Sequence, residues 1–122
     1  MDAVKLFDSE LKVMDIVWER EPISAKEISL ILGESIGWNK NTTYTIIKKL
    51  IDKEVLIREE PNFICSSKLK REQVQIAETK SLIDRLYQGS KKAFFAAFFQ
   101  NEELSMEELK ELKKLIDEQE TR

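Results

Sequence analysis

Apolar and polar positions alternate along this chain with the period of helices almost throughout. Leu11, Met14, Val17 and Trp18 fall on one side of a first helix that Asp8 or Ser9 can cap, running to about Glu19 before Glu21-Pro22 stops it. Ile23 can join a short strand. Ser24 followed by Glu27 is a capping-box pattern, opening a second helix with Ile28, Ile31 and Leu32 as its buried stripe and Gly33 as its end. Glu34 to Trp38 reads as a connector. Asn39 can cap a third helix to about Lys53, with Ile47, Leu50 and Ile51 on its apolar side. Val55–Arg58 and Phe63–Ser66 are short and rich in strand formers, and Glu60-Pro61-Asn62 between them is a turn signal.

Beyond Lys68 the pattern is helical again. Glu72–Gln88 carries Ile76, Leu82, Ile83, Leu86 and Tyr87; Gly89 breaks it and Ser90 caps Lys91–Gln100. Ser105 with Glu108 repeats the capping box ahead of Met106, Leu109, Leu112, Leu115 and Ile116. Three helices and one hairpin form the winged helix-turn-helix order. The expected fold is therefore mainly α, with a winged helix-turn-helix DNA-binding domain over 1–70 and a helical dimerisation domain over 71–122.

The composition narrows the function. The chain has 122 residues, no His and a single Cys, Cys65, so no disulfide can form within it. A metal site has neither imidazole nor a thiolate cluster to draw on, and no metal or cofactor is expected. Catalysis has no base that titrates near neutral pH and no Gly-rich phosphate loop, and Glu102-Glu103 and Glu107-Glu108 read as solvated helix-start acids, so an enzyme is not expected. The longest strongly apolar run, Ala93–Phe99, is too short to span a bilayer, and Met1–Asp8 lacks the pattern of a signal peptide. A cytoplasmic protein with no membrane partner is the expectation.

Net charge is −3, but it is unevenly distributed. Ile36–Arg58 holds five bases (Lys40, Lys48, Lys49, Lys53, Arg58) against Asp52 and Glu54, whereas Glu102–Arg122 holds eight acids against four bases. A polyanion responds to the local field. On the third helix the side opposite the apolar stripe carries Asn41, Thr42, Thr45, Lys49 and Asp52, with Lys48 on its flank. Asn pairs with adenine, and Thr bonds to base edges or sets its methyl against thymine, so Asn41, Thr42 and Thr45 are the expected base readers. Lys40, Lys48 and Lys49 suit phosphates, as do Arg58 and Lys68 at the base of the hairpin. The same face could be no more than the helix's solvated side, and the hairpin, with Glu59 and Glu60 at its tip, could serve only to close the core through Val55, Ile57 and Ile64.

The last fifty residues or so concentrate apolar side chains that a short segment cannot bury by itself. They fold back on the winged domain or pack against a second copy. A two-fold dimer would present two recognition helices to a palindromic site. The residues expected in that contact are Leu82, Leu86, Phe94, Phe95, Phe98, Phe99, Leu109, Leu112 and Ile116. The alternative is a winged-helix protein-interaction module without DNA binding, which would dimerise but bind no duplex.

Three blocks of sequence resemble the penicillinase-repressor family, the BlaI/MecI/CopY group. DSELKVMDIVWEREPISAKEISLILGE is similar to its first two helices, WNKNTTYTIIKKLIDKEVLIRE to its third helix and first wing strand, and ETKSLIDRLYQGSKKAFFAAFFQNEELSMEELKELKKLIDE to its dimerisation region. The resemblance implies a homodimeric repressor on an inverted-repeat, double-stranded DNA operator, controlling antibiotic-resistance or stress genes. It puts the base-contacting positions on Asn41, Thr42, Thr45 and their neighbours. It also implies release through a sensor-controlled protease that cuts in the dimerisation region, aligned here with Ala97-Phe98, where the best-known members have Asn-Phe. The four-Cys cluster of the copper-sensing branch is missing, and Glu54 stands where the family often has Gly.

Overall fold

The computed structural model describes residues 4–121; Met1–Ala3, at the start of the stretch read above for a leader, and Arg122 lie outside them. The element order is α1 (Asp8–Arg20), β1 (Ile23–Ser24), α2 (Ala25–Ile36), α3 (Lys40–Asp52), β2 (Leu56–Glu59), β3 (Ile64–Ser67), α4 (Arg71–Tyr87), α5 (Lys91–Asn101) and α6 (Met106–Glu120). The chain forms two compact units that divide at Thr79, inside α4 rather than before it at residue 70. The first turns of α4 belong to the first unit because Val74 is buried in its core and the Glu78 carboxylate accepts the Leu6 N–H at 2.9 Å.

In the first unit each helix lends one stripe to a common core: Val13, Met14 and Val17 from α1, Ile28 and Leu32 from α2, Ile46, Ile47 and Leu50 from α3. A buried aliphatic side chain of this kind is worth about 1.5–3 kcal/mol. The sheet, in the order β1-β3-β2, closes this core from the side. Ile23 pairs with Cys65, and Leu56 through Glu59 run antiparallel to Ser67 through Ile64. Both hairpin strands lie one residue later than their sequence signals. The core therefore takes Val55, Leu56 and Cys65, while Ile57 points outward and Ile64 is half-buried. Glu21, in the extended residue after α1, accepts both the Ser67 N–H (2.7 Å) and the Ser67 hydroxyl (2.9 Å), fastening the end of β3 to that of α1.

Two helix ends differ from the sequence reading. Phe7, not Asp8 or Ser9, occupies the cap position of α1, and its N–H is taken by the Glu10 carboxylate at 2.8 Å. α2 runs through Gly33 and stops at Gly37, whose φ of 75° is left-handed and whose N–H bonds to the Gly33 carbonyl at 3.2 Å. The connector to α3 thus shrinks to three residues, and Asn39 caps α3 as expected, accepting the Thr42 N–H at 2.8 Å.

α3 ends in a Schellman motif: Glu54 N–H bonds to Ile51 O (2.9 Å) and Val55 N–H to Leu50 O (3.0 Å), with Leu50 and Val55 both buried. Glu54 sits at φ 63°, where a Cβ is strained. Its ion pair with Lys68 at 2.9 Å lies in solvent and offsets little of this. Glu54→Gly is expected to raise the melting temperature by about 3 °C; a scanning-calorimetry midpoint that falls would contradict the strain.

In the second unit, Gln88 (φ 51°) and Gly89 (φ 81°) turn the chain after α4. Ser90 caps α5 by accepting the Ala93 N–H at 3.0 Å. Ser105 and Glu108 exchange side-chain bonds at 3.0 and 3.1 Å to open α6. Neither α5 nor α6 contains a buried residue.

Candidate nucleic-acid interface

The core takes one side of α3 and leaves the other open. Thr43, Ile46, Ile47 and Leu50 are buried; Asn41, Thr45, Lys48, Lys49 and Asp52 are exposed, as are Asn39 and Lys40, and Thr42 is half-buried. Thr43 and Ile46 are core residues beyond the apolar side read from the sequence. Asn41, Thr42, Thr45 and Lys49 line one shallow, open hollow of about 420 Å3 beside Ser9. From Asn41 to Lys49 the helix advances about 12 Å, a length that fits within a major groove about 12 Å wide. The Asn39 cap fixes the first turn, so the base-reading candidates stand on rigid backbone.

The basic residues divide into two groups. Lys40, Lys48 and Lys49 make no ion pair with the described residues. Lys53 turns inward: its ammonium bonds to the Glu10 carboxylate at 2.7 Å and to the Lys5 carbonyl at 3.2 Å, and lies 4.7 Å from the Phe7 ring centroid. Glu10 is 1% exposed and its second oxygen has no partner in the structure. This pair joins the first turn of α1 to the end of α3, and Lys53 therefore does not belong to the outward basic surface. The sequence held a signal for it, since Glu10 lies three, four and seven residues before Val13, Met14 and Val17, on the buried stripe.

On the wing, Arg58 stacks 3.6 Å from the centroid of Phe63 and is ion-paired with Glu60. Phe63 meets Tyr44 of α3 edge-on, with centroids 5.7 Å apart, and Lys40 lies 5.6 Å from the Tyr44 ring. Sequence reasoning missed Tyr44 and Phe63. The i, i+4 spacing of Lys40 and Tyr44 was readable, but the meeting of Tyr44 with a turn residue nineteen positions on was not. Trp18 and Trp38 are both half-buried against the core, and the Trp18 indole N–H donates to the Leu69 carbonyl at 3.0 Å. Cys65 is buried in β3, and that burial pushes its thiol up to about 11, so at neutral pH it is a small apolar side chain.

The second unit exposes an apolar face. Phe95 (51%), Phe98 (48%) and Phe99 (41%) on α5 lie open, as do Leu86, Leu109 and Ile116, while Leu82, Phe94 and Leu112 are half-buried. Phe95, Phe99, Leu112, Leu115 and Ile116 line a groove of about 640 Å3 between α5 and α6. The Ala97-Phe98 bond lies inside α5, where the Ala97 carbonyl accepts from the Asn101 side-chain amide at 2.7 Å. Among the described residues no cluster of three or more His, Cys, Asp or Glu could hold a metal, and no helix is long and apolar enough to cross a membrane.

Three packed helices, a small sheet with a hairpin wing, and a third helix presented outward define a winged helix-turn-helix protein of the DNA-binding class. The penicillinase repressor profile matches residues 6–118, and the chain belongs to that family. It is accordingly a transcriptional regulator and not an enzyme. It is 29% identical over 117 residues to the penicillinase repressor of Staphylococcus aureus, covering 94% of this chain and 93% of that protein. It is 25% identical over 115 residues to the methicillin resistance regulatory protein MecI of the same species, covering 93% and 94%. Among solved structures, the DNA-binding domain of the repressor BlaI superposes with a TM-score of 0.54 at 23% identity, covering 59% of this chain and 90% of that one. Monomeric Bacillus licheniformis BlaI, solved in complex with the blaP half-operator, does so at 0.51 and 24%, with the same coverage. Both likenesses concern the fold.

Proposed function

We propose that this protein is a cytoplasmic homodimer that represses antibiotic-resistance or stress genes by holding an inverted-repeat DNA operator with two copies of α3. The observation that carries the reading is the division of α3: the core takes one side, and the other presents Asn41, Thr42 and Thr45 flanked by Lys40, Lys48 and Lys49, none of the three lysines ion-paired with a described residue. Asn41, Thr42 and Thr45 read base edges; the lysines hold phosphates, with Lys68 at the wing's base as a further phosphate contact, while Arg58 is held by Glu60. The apolar face of α5 and α6 is the dimer surface, with Leu82 and Leu86 of α4. A sensor-controlled protease acting between Ala97 and Phe98 would cut α5 within that surface and separate the two reading heads, after local unwinding of the helix.

Footprinting on the region upstream of the protein's own gene, followed by titration of the protected duplex, tests the reading. Asn41→Ala is expected to cost about 1–3 kcal/mol and to relax preference at one base position. Lys49→Ala is expected to weaken binding to every sequence and to lower the slope of log affinity against log salt by about 0.9 per protomer. Negligible binding to all duplexes at low salt would overturn it.

A further inference from the structure

Arg58 is the one basic side chain of the wing, residues 56–67, and it is already occupied. Glu60 supplies one carboxylate oxygen to its guanidinium and the other to the Phe63 N–H at 3.0 Å. The Phe63 N–H bond, and after it the Arg58 bond, hold the Glu60 carboxyl below its usual range. The Phe63 ring beneath the guanidinium fixes its plane, and Tyr44 fixes Phe63 against α3. Arg58 therefore lies at one end of an array of two rings whose other end is Lys40, the first residue of the proposed reading helix.

A guanidinium binds a carboxylate and a phosphodiester in the same way, through a planar fork of N–H donors to two anionic oxygens. We infer that Glu60 is an internal competitor for backbone phosphate at Arg58, and that it sets the strength with which the protein holds DNA regardless of sequence. The inference rests on the functional reading above. While Glu60 is in place the arginine–glutamate pair carries no net charge. A phosphate approaching Arg58 must displace the carboxylate and then sit beside it, so the wing yields little counterion release. Removing the negative charge of Glu60 leaves Arg58 as a phosphate contact on the same ring platform.

The test is salt-dependent binding of the full-length protein to a fluorescent duplex of random sequence, which measures the electrostatic component alone. Glu60→Gln keeps an acceptor for the Phe63 N–H on an exposed side chain, and an unchanged thermal melt shows that the fold is intact. This variant is expected to bind about tenfold more tightly per added contact near 0.1 M salt, with a salt slope steeper by about 0.9 per protomer. Arg58→Ala by itself is expected to change neither quantity by more than twofold, and in the Glu60→Gln background it is expected to abolish the gain. Glu59→Gln removes a neighbouring charge that is not paired with Arg58 and is expected to give less than half of the Glu60→Gln effect. Equal gains from Glu59→Gln and Glu60→Gln would overturn the inference, as would a gain that survives Arg58→Ala, or a wild-type slope that already falls by about one when Arg58 is removed. If the wild-type protein binds and Glu60→Gln does not alter the slope, this inference alone fails; if the wild-type protein binds no duplex, the functional reading fails and carries this inference with it.

Discussion

Replacing Phe95 and Phe98 with Asp in the same chain is expected to convert the proposed dimer to monomer in sedimentation and to lower operator affinity by a hundredfold or more. Both side chains lie about half exposed on a helix with no buried residue, next to the open groove between α5 and α6. A phenylalanine buries about 150–250 Å2 when covered, so the faces of two protomers can remove a large apolar area from water. A carboxylate in that position must be desolvated without a partner, at a cost of several kcal/mol. The loss on DNA follows from linkage: the second reading helix of a dimer meets its half-site at an effective concentration near millimolar, worth about 10²–10⁴ in affinity. The core of the first unit stands on its own residues, so its melting should be preserved. An unaltered sedimentation profile would show that some other surface holds the dimer, or that none exists.

Lys53→Met is expected to destabilise the protein by about 3 kcal/mol, a cost set mostly by what it leaves behind. The mutation strands Glu10, whose side chain is 2% exposed and whose remaining donor is the Phe7 N–H at 2.8 Å. Water reaches part of the Lys53 side chain, which places the loss near the lower end of that for a fully buried pair. Combining Lys53→Met with Glu10→Gln removes the orphaned charge while keeping an acceptor for Phe7, and should return at least half of the lost stability. Urea unfolding with constant m-value measures both. A single mutant within about 0.5 kcal/mol of wild type would mean that the ion pair does not secure the end of α3. Because Lys49 and Asp52 lie beside this pair, its loss should also weaken DNA binding by loosening the helix that presents them.

The features legible in the sequence are those whose physics is local. Ser24, Asn39, Ser90 and Ser105 each cap a helix by accepting an N–H three residues on, a relation contained in four consecutive positions. The start of α1 escaped because Phe7 has no side-chain oxygen, and the acceptor for its N–H comes from Glu10 instead. Gly33 and Gly37 could both end α2; packing carried the helix through the first and left the second to take the left-handed turn. The outward side of α3 could be read from period alone, yet Thr43 and Ile46 joined the core because three elements converge on that helix.

Helical periodicity, capping signals and the lysines and short polar groups of the third helix are written in consecutive residues, and they suffice for the order of elements and for the side of α3 that the core leaves open. Only the folded chain decides which charges remain available there. Lys53 is withdrawn by Glu10 from forty-three residues away, and Arg58 is held on Phe63, which is itself seated on Tyr44. Such pairings depend on where separate elements come to rest, and the energy that selects them is that of burying one common core.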